Sequence, residues 1–143
     1  METPPPVTED QRRKDNEHLG LLAVFHFVVS GLAVLGIAFL LVHYQLMSSI
    51  FAHPERWQGA HGPGPPKAIL DLFAWFYLVM GVMFASACLA NLLSGIFLRQ
   101  RKYRMFSLIV AGLDCVQIPV GTALGVFTII VLLRDSVRLQ YEA

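Results

Sequence analysis

Asp114 is the only Asp, Glu, Lys or Arg between Arg104 and Arg134. A carboxylate in so apolar a run must be paired, neutralised or reached by water. Counted at about 1.5 Å per residue from the ends of their apolar runs, Asp114, Asn91 and Ser30 fall at one depth, with His26 one turn from Ser30 on the same face. A cluster of His26, Ser30, Asn91 and Asp114 could relay a proton or cation. The preferred reading is hydrogen-bonding glue between helices.

Other candidates for chemistry are weaker. His43, His53 and His61 could gather near Glu55, but their spacing matches no metal-ligand motif. The later apolar runs hold no histidine that could offer a haem an opposing ligand. No metal and no cofactor is expected. Cys88 and Cys115 stand alone, without a C-x-x-C pair, and read as small packing residues. No nucleophile triad, H-E-x-x-H, P-loop or dinucleotide-binding glycine pattern occurs, so no enzymatic activity is expected.

The elements that would position the cluster follow from where charge is missing. With 55% apolar and 15% charged residues, against roughly 25% charged in soluble domains, the chain reads as a membrane protein. No Asp, Glu, Lys or Arg occurs between Glu17 and Glu55 or between Asp71 and Arg99. Each gap exceeds the ~20 residues that cross a bilayer as helix, and so few segments could not close a barrel. The expected fold is all-α and polytopic.

The third run sets the count of spans. Ile118-Pro119-Val120-Gly121-Thr122 interrupts it, with Pro119 suited to the second position of a turn and Thr122 to a helix cap. This predicts a four-helix transmembrane bundle with a tight Pro-Val-Gly-Thr hairpin between spans three and four. A single proline-kinked helix is the alternative. The spans are placed at about 19–45, 69–98, 102–118 and 122–139, forming one transmembrane domain over 18–143. Residues 1–17 are expected to be a disordered cytoplasmic tail, and 46–68 an external loop. Tyr44–Ala52 should continue as helix into the outer interface or lie along it.

With four spans every basic residue except Arg56 and Lys67 falls inside, which puts both termini in the cytoplasm. Arg99, Arg101, Lys102 and Arg104 form a basic loop suited to anionic lipid head groups. The pattern gives no reason to expect nucleic acid as a partner. Gly81, Ala85 and Gly95 on the second span, and Gly121 and Gly125 on the fourth, recur at helical spacing and are expected to let helix backbones approach. Neither an internal duplication nor the paired broken helices of an inverted-repeat transporter is evident.

From Phe73 through Arg138 the chain resembles an uncharacterised family of small bacterial four-helix integral membrane proteins that has no assigned activity. The residues that carry this are Asn91-Leu92-Leu93-Ser94-Gly95, the loop ending in Lys102-Tyr103-Arg104, Val110-Ala111-Gly112-Leu113-Asp114-Cys115, and Ile118 through Phe127 followed by Leu132-Leu133-Arg134. The resemblance implies a bacterial inner-membrane location and a four-helix bundle. The expected function is that of a structural or accessory protein, packing with itself or with a larger membrane complex. The alternative is a small proton- or cation-conducting component that uses Asp114.

Overall fold

A computed structural model describes residues 8–51, 53, 66–117 and 119–142. The described residues form five helices and no strand: α1 (Glu9–Phe51), α2 (Lys67–Gln100), α3 (Arg104–Asp114), α4 (Val120–Leu132) and α5 (Asp135–Glu142). With 43 and 34 residues, α1 and α2 are long and apolar enough to cross a membrane. Their large apolar side chains are turned outward, as with Leu35 at 65%, Phe39 at 66% and Leu72 at 69% exposure. Water would reject such a surface and hydrocarbon would not.

The chain divides into two compact units, Met1–Ser30 with Leu89–Ala143, and Gly31–Cys88. In the first, Leu19 and Leu22 of α1, Leu98 of α2, Leu124 and Val131 of α4 and Val137 of α5 make one buried core, with Leu108 of α3 against it. In the second, Gly36 of α1 faces Phe84 of α2, and a Cβ there would come within 2.7 Å of the ring. His43 and Tyr77 share a hydrogen bond in this unit, and Tyr44 meets Tyr77 edge to face.

Residues 9–17 are helix rather than part of a disordered tail. Thr8 Oγ1 accepts from the Gln11 backbone N–H, and Glu9 and Asp10 occupy the first turn, where carboxylates suit the helix dipole. Further along, Arg101 donates to Asn16 Oδ1 at 2.7 Å. The expected external loop over 46–68 begins later than placed, because α1 continues to Phe51; most of that loop, with Glu55 and His61, lies outside the described residues, as do residues 1–7.

A helical hairpin does occupy the third apolar run, with shorter arms than expected. Its helices have 11 and 13 residues, about 17 and 20 Å long, where 102–118 and 122–139 were expected to be helix. The turn comes early. Val116 N–H bonds to Leu113 O and Gln117 N–H to Asp114 O, tightening the end of α3, and Pro119 precedes α4, where a missing N–H costs nothing. Thr122 does not cap the helix; its hydroxyl donates back across the turn to Cys115 O at 2.7 Å. A second break at Leu133–Arg134 bends α5 from α4 by 77°, so residues 135–139 do not extend the fourth helix along its own axis.

The link between α2 and α3 is strained. Arg101 and Tyr103 have φ of 53° and 51°, a left-handed conformation that costs a side-chain-bearing residue about 1–2 kcal/mol. Lys102 N–H bonds to Phe97 O, and the Phe97 ring packs on both Tyr103 and Phe106. These contacts hold the turn.

Candidate functional site

The first unit gathers four polar side chains from four helices. His26 is 0%, Asn91 1%, Asp114 2% and Thr128 0% exposed. His26 Nδ1 and Asn91 Oδ1 are 2.7 Å apart, and Asn91 Nδ2 donates to Asp114 Oδ1 at 2.9 Å. An amide oxygen only accepts, so His26 carries a proton on Nδ1. Its other nitrogen faces Thr128 Oγ1 at 3.4 Å, and a neutral imidazole takes that hydroxyl proton. Asp114 Oδ2 lies 3.6 Å from His26 Nδ1 and accepts no hydrogen bond among the described residues.

The arrangement follows from helical spacing. Gly121 and Gly125 stand one turn apart on α4, and Cβ atoms there would run into Asp114 O and Ala111 O respectively. The two backbones therefore touch. Thr128, three residues further along that stripe, is carried against the cluster. Three of the four expected residues, His26, Asn91 and Asp114, meet; the depth count put Ser30 rather than His26 level with the other two, and Ser30 is buried at 5% exposure. Thr128 was not among the expected residues; the available signal was a hydroxyl three residues beyond Gly125, on the face read as packing surface.

A second polar set lies at the other end of the unit. Asp15, 1% exposed, is 3.5 Å from Arg134 Nη1, and Arg134 Nη1 also approaches His18 Nδ1 at 3.4 Å. None of these three stood out in the sequence, where they are ordinary polar residues flanking apolar runs. The basic loop is partly committed to structure. Arg104 Nε donates to Leu132 O at 2.8 Å, closing the open end of the hairpin, and Arg101 is held by Asn16. Arg99 and Lys102 are exposed.

The remaining sequence candidates separate cleanly. Gly95 is covered by Phe27, within 2.8 Å of a Cβ built there, whereas a Cβ on Gly81 would meet nothing within 4 Å. Ala85 is exposed. The expected packing role of Gly81 and Ala85 is therefore corrected: on α2 the close approach is at Gly95. Among the described residues no group of three His, Cys, Asp or Glu side chains could hold a metal ion.

No protein family matches the chain, and no curated protein or solved structure does. The site is a buried chain of hydrogen bonds between helices, His26 to Asn91 to Asp114, with Asp114 Oδ2 left without a hydrogen-bond partner among the described residues.

Proposed function

We propose that this chain is an integral membrane protein of a bacterial inner membrane, structural or accessory rather than enzymatic, packing with itself or with a larger membrane complex. The observation that supports this best is the cluster itself. Its hydrogen bonds run between helices, from α1 through α2 to α3, and so hold elements together.

In this reading four helices lie in the membrane, with both termini in the cytoplasm, and only α1 and α2 cross it. The α3–α4 hairpin re-enters. Arms of about 17 and 20 Å cannot span ~30 Å of hydrocarbon, and the tip is apolar and outward, with Leu113 at 61%, Val116 at 79% and Val120 at 60% exposure. A tip standing in water would not be built so. Lys102 and Arg104 at one base of the hairpin and Arg134 and Arg138 at the other suit the cytoplasmic interface.

Two measurements test the proposal. A Gln117→Cys variant in intact cells should resist a membrane-impermeant thiol reagent; rapid labelling from outside would mean that the hairpin spans fully. Chemical cross-linking in native membranes, read by mass, should find the chain in an oligomer or a stoichiometric complex. A monomer that conducts ions when reconstituted alone would overturn the accessory role.

A further inference from the structure

Buried polar atoms without a protein partner recur through the first unit. Both carboxylate oxygens of Asp15, the hydroxyls of Ser94 and Ser107 and Oδ2 of Asp114 make no hydrogen bond among the described residues. All four side chains are at least 98% buried. Left dry, each would cost about 1–3 kcal/mol, and more for a charge. Buried polar groups that lack protein partners are normally satisfied by internal water.

Their order along the helices is informative. Ser94 lies one turn from Asn91 on α2, toward the basic loop, and Ser107 about two turns, ~10 Å, from Asp114 on α3 in the same direction. Asp15 precedes His26 on α1 by about 17 Å. The two hydroxyls therefore lie at levels between the Asp15–Arg134 pair and the His26–Asp114 pair. Asp15 and Arg134 pair at 3.5 Å without a hydrogen bond, and the Arg134 side chain is 39% exposed, so this pair is the end of the series that solvent reaches.

We propose that a file of internal water runs from Asp15 and Arg134 past Ser107 and Ser94 to the free Oδ2 of Asp114, making the His26–Asp114 pair a proton-binding site open to the cytoplasmic side. The inference rests on the membrane placement proposed above and adds a ligand to it. A proton from bulk water passes along the file and bonds to Oδ2, turning the carboxylate into the acid; release reverses the step. His26 from α1 is the titratable group facing Asp114, while α2 and α4 present neutral Asn91 and Thr128. With neutral His26, uptake removes the net negative charge from the cluster. Asp114 Oδ1 keeps its bond from Asn91 throughout.

Cysteine accessibility tests the water path. With Cys88 and Cys115 replaced by Ala, Ser94→Cys, Ser107→Cys, Leu113→Cys and Glu9→Cys are placed singly and exposed from the cytoplasmic face, in inside-out vesicles, to a small cationic methanethiosulfonate. That reagent needs a hydrated thiolate. The two serine positions should react at least about tenfold faster than Leu113→Cys, because thiolates form only where water reaches. If they are as inert as Leu113→Cys while Glu9→Cys reacts, the water path does not exist and the membrane placement stands. If Leu113→Cys reacts as fast as Glu9→Cys, the membrane placement fails and this inference with it. Infrared difference spectra between the unmodified chain and Asp114→Asn need no change at the serines. A carboxylic-acid band that follows external pH and shifts in heavy water supports the site, and a band indifferent to external pH overturns it.

Discussion

Asn91 donates its amide proton to Asp114 Oδ1 at 2.9 Å, and through this bond the longer of the two apolar helix pairs holds the end of the hairpin. The same amide accepts from His26 at 2.7 Å. Only a side chain with a donor and an acceptor on one small group serves both neighbours.

Replacing Asn91 by Leu should therefore be more damaging than replacing Asp114 by Asn. Asn91→Leu strands both His26 and Asp114 and should cost about 2–6 kcal/mol, from two buried groups at 1–3 kcal/mol each. Asp114→Asn keeps hydrogen-bonding capacity without charge, and its thermal stability in nanodiscs should be unchanged or raised. Asp114→Leu should lose about 1 kcal/mol from the interhelical bond. A loss for Asp114→Asn equal to that for Asn91→Leu would mean that charge, not hydrogen bonding, holds the cluster.

Glycine substitutions should divide by contact. Gly125→Ala drives a methyl into Ala111 O and Cys115 Sγ, and Gly121→Ala into Asp114 O and Gln117 Cβ; each should cost about 1–3 kcal/mol. Gly31→Ala and Gly112→Ala meet nothing within 4 Å and should gain up to about 1 kcal/mol from the stiffer unfolded chain. Melting temperatures of the four variants in one detergent check this.

Asp15 depends on Arg134. Arg134→Ala should leave the buried carboxylate without its cation and destabilise by about 1–3 kcal/mol. Adding Asp15→Asn should recover part of that loss. A double variant as unstable as the sum of the two single ones would show that the pair is not coupled.

Tyr141 lies in α5, outside the two helices long and apolar enough to cross a membrane, and burial pushes its phenol up to about 12, opposed in part by Arg101 and Arg104. The folded chain therefore holds this proton after the unfolded chain has released it, near pH 10. The stabilisation is complete below about pH 10 and falls away as pH rises through about 12. Tyr141→Phe should flatten that part of the alkaline stability profile relative to the unmodified chain. Parallel profiles would show that the phenol does not contribute.

Helical class and the meeting of His26, Asn91 and Asp114 were legible because both rest on regular rises along charge-free runs. Depth counted at a fixed rise needs no tertiary knowledge. The hairpin's position was harder, since Pro119 marks where a helix can begin and says little about where α3 stops. That stop is marked by the backbone bonds at Leu113–Gln117, against which Gly121 and Gly125 pack. Glu9–Glu17 was misread for a related reason: its charges suggested a solvated tail, but Asn16 and Asp15 find Arg101 and Arg134 far away in the chain. Thr128 follows the Gly121–Gly125 face at helical spacing, and the role of a hydroxyl there depends on what lies opposite, here His26.

The cluster also has an order in time. His26 and Asn91 belong to α1 and α2, which leave the ribosome before α3, and chains made from the N-terminus fold in that sequence. When Asp114 arrives, the imidazole and amide that receive it are already in place. In the proposed membrane placement, a carboxylate that would resist entering lipid on a solitary hairpin meets its partners at insertion, and synthesis order itself supports the last-made helices.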